Sequence, residues 1–359
     1  MKVHANSLGI AFMSRRTWYR TVSTSLLAAA SLALTACATG SPGATNANVP
    51  TDSFPVTIDH AFGQTVISEV PQRVASVAWG NQDVALALGI IPVGMAGGAW
   101  GDDNGDGILP WTFDALNGLG ATGASLPVLF DEVDGINFEA VASVNPDVVL
   151  AAYSGLSAED FQTLSAITPH VVAYPGLAWG TNWREMALIN GAALGKRSAA
   201  EALVAKVDAT IAEAKSRYPD VAGKTVAYTY LNPSDLSSIS VYTPIDARVQ
   251  FTQDLGLGLS PRLKDIIGDS QEFFATIAAE NADSIDADIL VTYGDDSTLA
   301  LLQAHPLIGK IPAVQRGSVV ILPNATPLAA ATSGPTVLSI PWALDRYLGL
   351  FQAAAIQVK

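Results

Sequence analysis

Two similar 17-residue segments flank a long helical stretch, and this repeat limits the possible folds more than any other feature. The first covers residues 137–153 and the second residues 277–293. In both, a Glu lies eight residues before an Asp, the Asp opens an apolar run, and a Tyr closes that run. Each copy predicts a short helix, a turn and a parallel strand. Chance similarity between two such units is the alternative, but two similar α/β lobes explain the repeat more economically.

The stretch between the copies, residues 182–219, has the pattern of two consecutive helices. Asn182 is placed to cap the first helix, and Gly195 is placed to end it. Ser198 is expected to cap the second, with Glu201 completing a capping box. The second helix carries apolar residues at spacings of three and four: Ala200, Leu203, Val207, Ile211 and Ala214. A helix of about 19 residues spans roughly 28 Å, which is enough to join two lobes; an ordinary surface helix is the alternative.

The first 36 residues have the organisation of an export signal. Basic residues precede an apolar run at positions 26–34, and small residues then lead to Cys37. This pattern is typical of a secretory signal peptide, and the run is too short to span a membrane. Cys37 is the only cysteine, which excludes a disulfide within the chain. A small buried residue of the signal segment is the alternative interpretation of Cys37.

These features divide the chain into five predicted segments. They are a signal peptide at 1–36, a flexible tether at 37–53, an N-terminal α/β lobe at 54–181, bridging helices at 182–219 and a C-terminal α/β lobe at 220–359. The tether is rich in Ser, Pro, Gly, Ala, Thr and Asn and cannot bury a core. The predicted fold class is α/β, with two lobes joined by a rigid helix.

The charge balance argues against two classes of partner. Without residues 1–36, 15 Lys and Arg face 33 Asp and Glu, a net charge of about −18. Such a surface repels nucleic acid and anionic lipid, so neither is expected as a partner. A membrane link would have to come from acyl chains.

Aromatic residues recur where predicted strands end. In open α/β sheets ligands bind beyond the carboxyl ends of the strands. Residues 54–69 predict a hairpin, and a βαβ unit follows, with Trp79 at the end of its first strand and Trp100 and Trp111 in the loop after its second. Packing in the core is the alternative role for each tryptophan. The candidate ligand-contacting residues are Trp79, Trp100, Tyr153, Trp179, Tyr230, Arg248 and Tyr293.

Polar candidates are fewer. Arg248 lies at a strand end where a cation could meet a ligand, although an ordinary surface charge is the alternative, and Ser333 could bring a hydroxyl near the cleft. Residues 102–107 resemble the start of a calcium loop, but Phe113 stands where the closing Glu is required, so a solvated loop is the default.

The sequence lacks the motifs of most enzyme classes. The histidines after the signal peptide, His60, His170 and His305, are far apart and form no metal-binding pair, which argues against a zinc site. A nucleophile elbow, a phosphate-binding loop and a dinucleotide fingerprint are all missing from the sequence. A pair of catalytic carboxylates stays possible, but nothing singles out two of the 33 acids. The pattern favours a binding protein over an enzyme.

Several motifs, in their order and spacing, resemble the iron-siderophore substrate-binding lipoproteins of bacterial ABC importers. They are Leu-Thr-Ala-Cys at 34–37, the Phe-Gly hairpin at 62–63, Pro-Gln-Arg-Val at 71–74, the segment 87–94, the segment from Phe138 and Glu139 to Asp147, the central helices, and residues 339–345. The resemblance covers residues 37–357.

That resemblance implies two Rossmann-like lobes bridged by a long helix, with the ligand held between them. It implies cleavage before Cys37 and diacylation of its sulfur, which would anchor a monomer at the outer face of the cytoplasmic membrane. Glu139 and Glu280 match the family's acids that dock on arginines of a dimeric permease, which works with its ATPase; two solvated helix acids are the alternative. No cofactor and no protein metal site are implied, since the siderophore itself holds the iron.

The ligand class is less determined by the sequence. Aromatic walls with few cations suit a bulky, neutral or cationic ferric hydroxamate. An anionic ferric catecholate would need an arginine cluster, for which Arg248 and Arg184 are the central candidates, so hydroxamates are preferred. Family relatives that carry haem or cobalamin are the alternative, with Tyr153 or Tyr293 as a possible haem ligand. A lipid-anchored enzyme and a surface scaffold are interpretations from other functional classes.

Overall fold

The computed structural model describes residues 52–358. The predictions for the signal peptide and for Cys37 lie outside this range. Within it, two five-stranded sheets form two α/β lobes, and a small hairpin packs on the first lobe. None of the described helices has the length and apolar character that a membrane crossing requires.

The hairpin and the N-terminal lobe follow the predicted order. Strands β1 (Val56–His60) and β2 (Gly63–Ile67) pair antiparallel and turn between His60 and Gly63, as expected. The lobe's sheet is wholly parallel in the order β5-β4-β3-β6-β7. Its strands are β3 (Val74–Ser76), β4 (Gly94–Ala96), β5 (Val128–Phe130), β6 (Val148–Ala151) and β7 (Val171–Ala173). Its helices are α1 (Asn81–Ala87), α2 (Pro110–Gly118), α3 (Phe138–Ser143) and α4 (Ala158–Ile167).

The helical stretch between the lobes consists of α5 (Trp183–Ala193) and α6 (Arg197–Arg217). Asn182 caps α5 as predicted, because its side chain accepts the N–H of Glu185 at 2.9 Å. The prediction that Ser198 caps α6 is wrong. The helix begins at Arg197 with Lys196 at its N-cap, two residues earlier than predicted, and the N–H of Ser198 donates to Asp52 Oδ1 at 2.9 Å. With 21 residues, α6 spans about 30 Å.

The C-terminal lobe has a mixed sheet in the order β10-β9-β8-β11-β12. Strands β8, β11 and β12 pair in parallel, whereas β9, which a tight hairpin joins to β8, pairs antiparallel with both β8 and β10. The strands are β8 (Val226–Asn232), β9 (Asp235–Tyr242), β10 (Phe274–Ala278), β11 (Ile289–Gly294) and β12 (Val319–Pro323). The helices are α7 (Ala247–Asp254), α8 (Pro261–Ile267), α9 (Thr298–Ala304), α10 (Pro312–Arg316), α11 (Pro327–Ser333) and α12 (Ser339–Ala355).

The two repeat copies share an aspartate that fastens neighbouring strands. Asp147, just before β6, accepts the N–H of Arg73 at 2.9 Å, at the entry to β3. Asp288, just before β11, accepts the N–H of Thr225 at 2.8 Å, at the entry to β8. Each carboxylate therefore holds the amino ends of two adjacent parallel strands together. The sequence repeat is thus a structural repeat.

The copies differ in the segment that precedes this aspartate. Each contains the predicted short helix, which is α3 in the first copy and a 3-10 helix, Ala279–Ser284, in the second. Strand β10 extends to Ala278, directly before this 3-10 helix. Asn281 departs from helical dihedrals inside this segment, with φ −103° and ψ 16°, so the helix is kinked there.

Candidate functional site

Aromatic side chains from both lobes meet at the carboxyl ends of the central strands. Trp79 follows β3 and stacks on Trp100, with ring centroids 6.2 Å apart and planes 5° apart. On its other side Trp79 contacts Trp179, which packs edge-on against Tyr153 at 5.3 Å. Trp100 also meets Tyr293 of the C-terminal lobe at 6.0 Å. These five residues form one aromatic cluster, and Trp79 keeps 50% of its surface exposed.

Arg248 lies at the C-terminal side of this cluster and is already paired. Its Nε and Nη2 donate to the two carboxylate oxygens of Asp246 at 2.7 Å each. Its guanidinium lies 3.8 Å from the ring centroid of Tyr242, and Nη1 lies 3.4 Å from the Tyr293 hydroxyl. Burial disfavours the charge, but the ion pair with Asp246 raises the pKa of Arg248 above its ordinary value. The guanidinium is therefore charged, and its carboxylate partner neutralises it.

Tyrosine hydroxyls continue the polar part of the wall. The hydroxyl of Tyr293 lies 2.6 Å from Ser333 Oγ and 3.2 Å from the hydroxyl of Tyr228. Ser333 thus reaches the wall of the cleft, where the sequence had placed a hydroxyl. Burial raises the pKa of Tyr153 and of Tyr228 above the ordinary value for a phenol. Both hydroxyls stay protonated at neutral pH.

A cavity of about 260 Å³ opens beside the stacked pair Trp79 and Trp100. Its walls also include Trp111, Asp83 and Glu132, together with residues around α11 and the start of α12. We call it the tryptophan–carboxylate cavity. Because the two tryptophans belong to both the aromatic cluster and this cavity, the two spaces share a wall.

The two carboxylates of the cavity are held differently. Asp83 accepts hydrogen bonds from Trp111 Nε1 at 2.8 Å, from Thr112 at 2.8 Å and from Thr336 at 2.6 Å. Burial raises the pKa of Asp83 to about 6, although these three donors oppose the shift. Since Thr336 precedes α12, the buried aspartate also ties the C-terminal part of the chain to α1 and α2.

Glu132 follows β5 and has only one such donor. Its Oε2 accepts the N–H of Ala78 at 2.9 Å, and its Oε1 is buried without a hydrogen-bond partner among the described residues. Burial raises the pKa of Glu132 to about 7. Ala78 has a φ of 58°, which is rare for a residue with a side chain and holds the turn that presents Trp79.

Of the seven candidate ligand contacts, Tyr230 is the one outside this network of described residues. Its side chain is 45% exposed near the end of β8, on the same face as Tyr228. The other six candidates are brought together as expected: Trp79, Trp100, Tyr153, Trp179, Arg248 and Tyr293.

The residues of the site that were not among the sequence candidates include Tyr242, Asp246 and Glu132. Tyr242 ends β9, which runs antiparallel to β8, so it lies beside Tyr228 and not at the carboxyl end of a parallel strand. Asp246 precedes Arg248 by two residues and caps α7, which is a recognisable helix-start signal. Glu132 lies in a loop, and no sequence signal connects it to Ala78.

Other polar candidates have structural roles. Arg184 donates to Asp208 of α6 at 2.6 Å and to Asp254 of α7 at 2.8 Å, so it joins three helices and is not a cation of the cleft. Asp102 accepts backbone N–H groups of its own loop, including Gly107 at 2.7 Å. No group of three or more His, Cys, Asp or Glu in the described part of the chain could hold a metal ion.

Both repeat glutamates are exposed. Glu139 lies in the first turn of α3, and Glu280 lies in the 3-10 helix of the second copy. Each precedes its fastening aspartate by eight residues. Their side chains are therefore available to a partner on both lobes.

Comparisons with known proteins identify similar sequences and structures. A family model described as periplasmic binding protein matches residues 74–326. The crystal structure of Streptococcus pneumoniae PiaA in complex with ferrichrome is 43% identical, covers 85% of this chain and 100% of its own, and has a TM-score of 0.80. A periplasmic solute binding protein from Mycobacterium smegmatis is 26% identical, with coverages of 84% and 98% and a TM-score of 0.67.

More distant structures share the fold alone. Staphylococcus aureus SirA, solved with staphyloferrin B, is 20% identical, with coverages of 83% and 98% and a TM-score of 0.61. A search of curated proteins found no match.

Proposed function

Because this chain belongs to the periplasmic binding protein family, we propose that it captures a ferric siderophore outside the cytoplasm and delivers it to an ABC importer. Proteins of this family bind solutes and are not enzymes, and they need no cofactor to do so. The relative with 43% identity was solved with ferrichrome, a ferric hydroxamate. The observation that carries the proposal is the aromatic cluster, which both lobes build at the carboxyl ends of their central strands.

The charge state of the cleft favours hydroxamates over catecholates. A ferric catecholate complex is anionic and would require an uncompensated cation for its recognition. Arg248 is compensated by Asp246, and Arg184 is engaged by two aspartates of the helices. A neutral or cationic ferric hydroxamate needs no uncompensated protein cation for binding, and it can pack against the aromatic faces.

Quenching of tryptophan fluorescence tests the proposal, because Trp79, Trp100 and Trp179 all lie in the cluster. We expect ferrichrome and ferrioxamine B to quench with a dissociation constant of micromolar or tighter. A ferric catecholate should bind more weakly, and haem and cobalamin should not compete. If none of the ferric hydroxamates quenches at micromolar concentration, siderophore capture is wrong.

Haem capture is the alternative function, and the state of the two candidate tyrosine ligands argues against it. An axial tyrosine ligand binds iron as the deprotonated phenolate. Burial raises the pKa of Tyr153, so this phenol resists deprotonation. The hydroxyl of Tyr293 is within hydrogen-bonding distance of Ser333 and Tyr228.

Delivery would use the two repeat glutamates. We propose that Glu139 and Glu280 dock on basic pockets of a dimeric permease, whose ATPase drives import. The support is that both are exposed and both stand at the same distance from the aspartate that fastens their lobe. Two carboxylates on matched lobes would fix the orientation of the complex more than they would add affinity.

The anchor completes the proposal. Cleavage before Cys37 and acylation of its sulfur would hold the protein, as a monomer, at the outer face of the cytoplasmic membrane. Replacement of Cys37 by Ser should release the chain from membranes into the soluble fraction. Retention of the C37S variant on membranes would contradict the lipid anchor.

A further inference from the structure

We propose that the tryptophan–carboxylate cavity is a subsite for an organic ammonium group carried by an arm of the ligand. The inference rests on the proposed function, because it assumes that a ferric siderophore occupies the neighbouring aromatic cluster. It goes further by assigning a charge and a position to part of that ligand.

The cavity is large enough to hold an arm of a chelate. Pockets that enclose entire drug-sized ligands have volumes of roughly 300–1,000 Å³. The cavity measures about 260 Å³, and it shares Trp79 and Trp100 with the aromatic cluster. A chelate against the cluster can therefore extend a substituent into the cavity without leaving the tryptophans.

The aromatic walls suit a cation. Trp79, Trp100 and Trp111 all line the cavity, and indole faces attract ammonium groups within about 6 Å of the ring. The residues that line it include no Lys, Arg or His, so no protein cation competes for these faces. Its only titratable side chains are Asp83 and Glu132.

Glu132 is the carboxylate of the cavity that lacks a counter-charge. Asp83 is satisfied by three donors, but Glu132 receives a single N–H and its Oε1 is buried without a partner in the described chain. An ionised carboxylate that is buried without a counter-charge is costly, which is why its pKa rises to about 7. A cation in the cavity would stabilise the ionised form and would itself be held by that charge.

The distribution of charge along the cleft predicts the orientation of the bound ligand. On the other side of the cluster, Arg248 and Asp246 form a neutralised pair that attracts neither sign of charge strongly. The cavity is the part of the cleft with excess negative charge. A ligand with one ammonium arm is therefore expected to bind with that arm towards Glu132.

The test compares two chelates that differ only in charge. Ferrioxamine B carries a pendant primary ammonium, and its N-acetylated derivative has the same ferric trihydroxamate core without the charge. We expect the wild-type protein at pH 8 to bind ferrioxamine B about tenfold more tightly than the acetylated form, by tryptophan quenching. At pH 5.5 the ratio should fall towards one, because Glu132 and Asp83 become protonated.

Two variants locate the effect. Glu132→Gln keeps the shape of the side chain and should bring the ratio at pH 8 close to one. Glu69→Gln removes one exposed charge elsewhere and should leave the ratio at its wild-type value. Equal binding of the two chelates by the wild type, or an unchanged ratio in E132Q, would overturn the subsite while leaving siderophore capture intact. If neither chelate binds, the proposed function fails and the subsite fails with it.

Discussion

Arg248 and Asp246 form a two-pronged ion pair at the edge of the cleft, with both nitrogen–oxygen distances at 2.7 Å. The aspartate side chain is only 5% exposed, so little solvent screens the pair. The charge of Arg248 is therefore balanced before any ligand binds. We expect this pairing to decide which charge of ligand the C-terminal wall accepts.

Removal of the aspartate charge should change ligand preference. In Asp246→Asn the guanidinium loses its counter-charge, while the asparagine can still cap α7. We expect binding of a ferric catecholate to strengthen by about tenfold and binding of ferrichrome to weaken by less than that. The exposed acid Asp114 offers a control as Asp114→Asn. An unchanged catecholate to ferrichrome ratio in D246N would contradict the role given to this pair.

Loss of Trp79 should weaken the aromatic wall. Its ring is half exposed and stacks on Trp100, so Trp79→Ala removes contact area that a ligand can cover. We expect the dissociation constant for ferrichrome to rise about tenfold or more. The measurement is isothermal titration calorimetry, since the variant also loses a fluorophore. Phe113→Ala removes an exposed aromatic of α2 and should bind normally; equal losses in both variants would argue against the cluster as the ligand wall.

Reversal of the repeat glutamates should separate capture from delivery. Glu139→Arg and Glu280→Arg place cations where the permease is expected to carry its own. Uptake of labelled ferric siderophore in cells should fall severalfold in either variant and further in the double variant, while the dissociation constant stays unchanged. Glu69→Arg makes the same charge change at another exposed site and should transport normally. Normal uptake by the double variant would remove these residues from docking.

The buried carboxylates should make stability depend on pH. The pKa of Glu132 rises from 4.5 to about 7 on folding, so between these values the folded chain holds a proton that the unfolded chain has lost. Its contribution to the free energy of unfolding therefore declines as pH rises from about 4.5 to 7. At pH 8, Glu132→Gln should be more stable than the wild type by up to roughly 3 kcal/mol. Asp83 acts in the same direction between pH 3.8 and about 6.

Urea unfolding without ligand at several pH values measures this effect. The difference between E132Q and wild type should shrink as pH falls and should nearly vanish at pH 4. A difference that stays constant from pH 4 to pH 8 would show that Glu132 is not the linked group.

The architecture could be predicted because the repeat marks one central strand in each lobe with residues at fixed spacings. Asp147 and Asp288 directly precede β6 and β11, and Tyr153 and Tyr293 lie at the carboxyl ends of these two strands. Apolar strands and strand-end aromatics can be recognised from spacing alone. Six of the seven candidate contacts therefore converge.

What the sequence could not predict depends on contacts between distant segments. Glu132 meets Ala78 across 54 positions, and this contact requires an uncommon φ at Ala78. Arg184 is a candidate ligand cation in the sequence, but the packing of α5, α6 and α7 places two aspartates beside it. The sequence does not predict the start of α6, because Asp52, which is distant in the chain, accepts an N–H of the first turn.

The fastening aspartates lie at the amino edge of their sheets, and the aromatic cluster lies at the opposite edge. Substitutions among the aromatics therefore leave the anchoring of the strands untouched. Ligand specificity can therefore change through a few substitutions at strand ends and loops, while the contacts that hold the strands together stay the same.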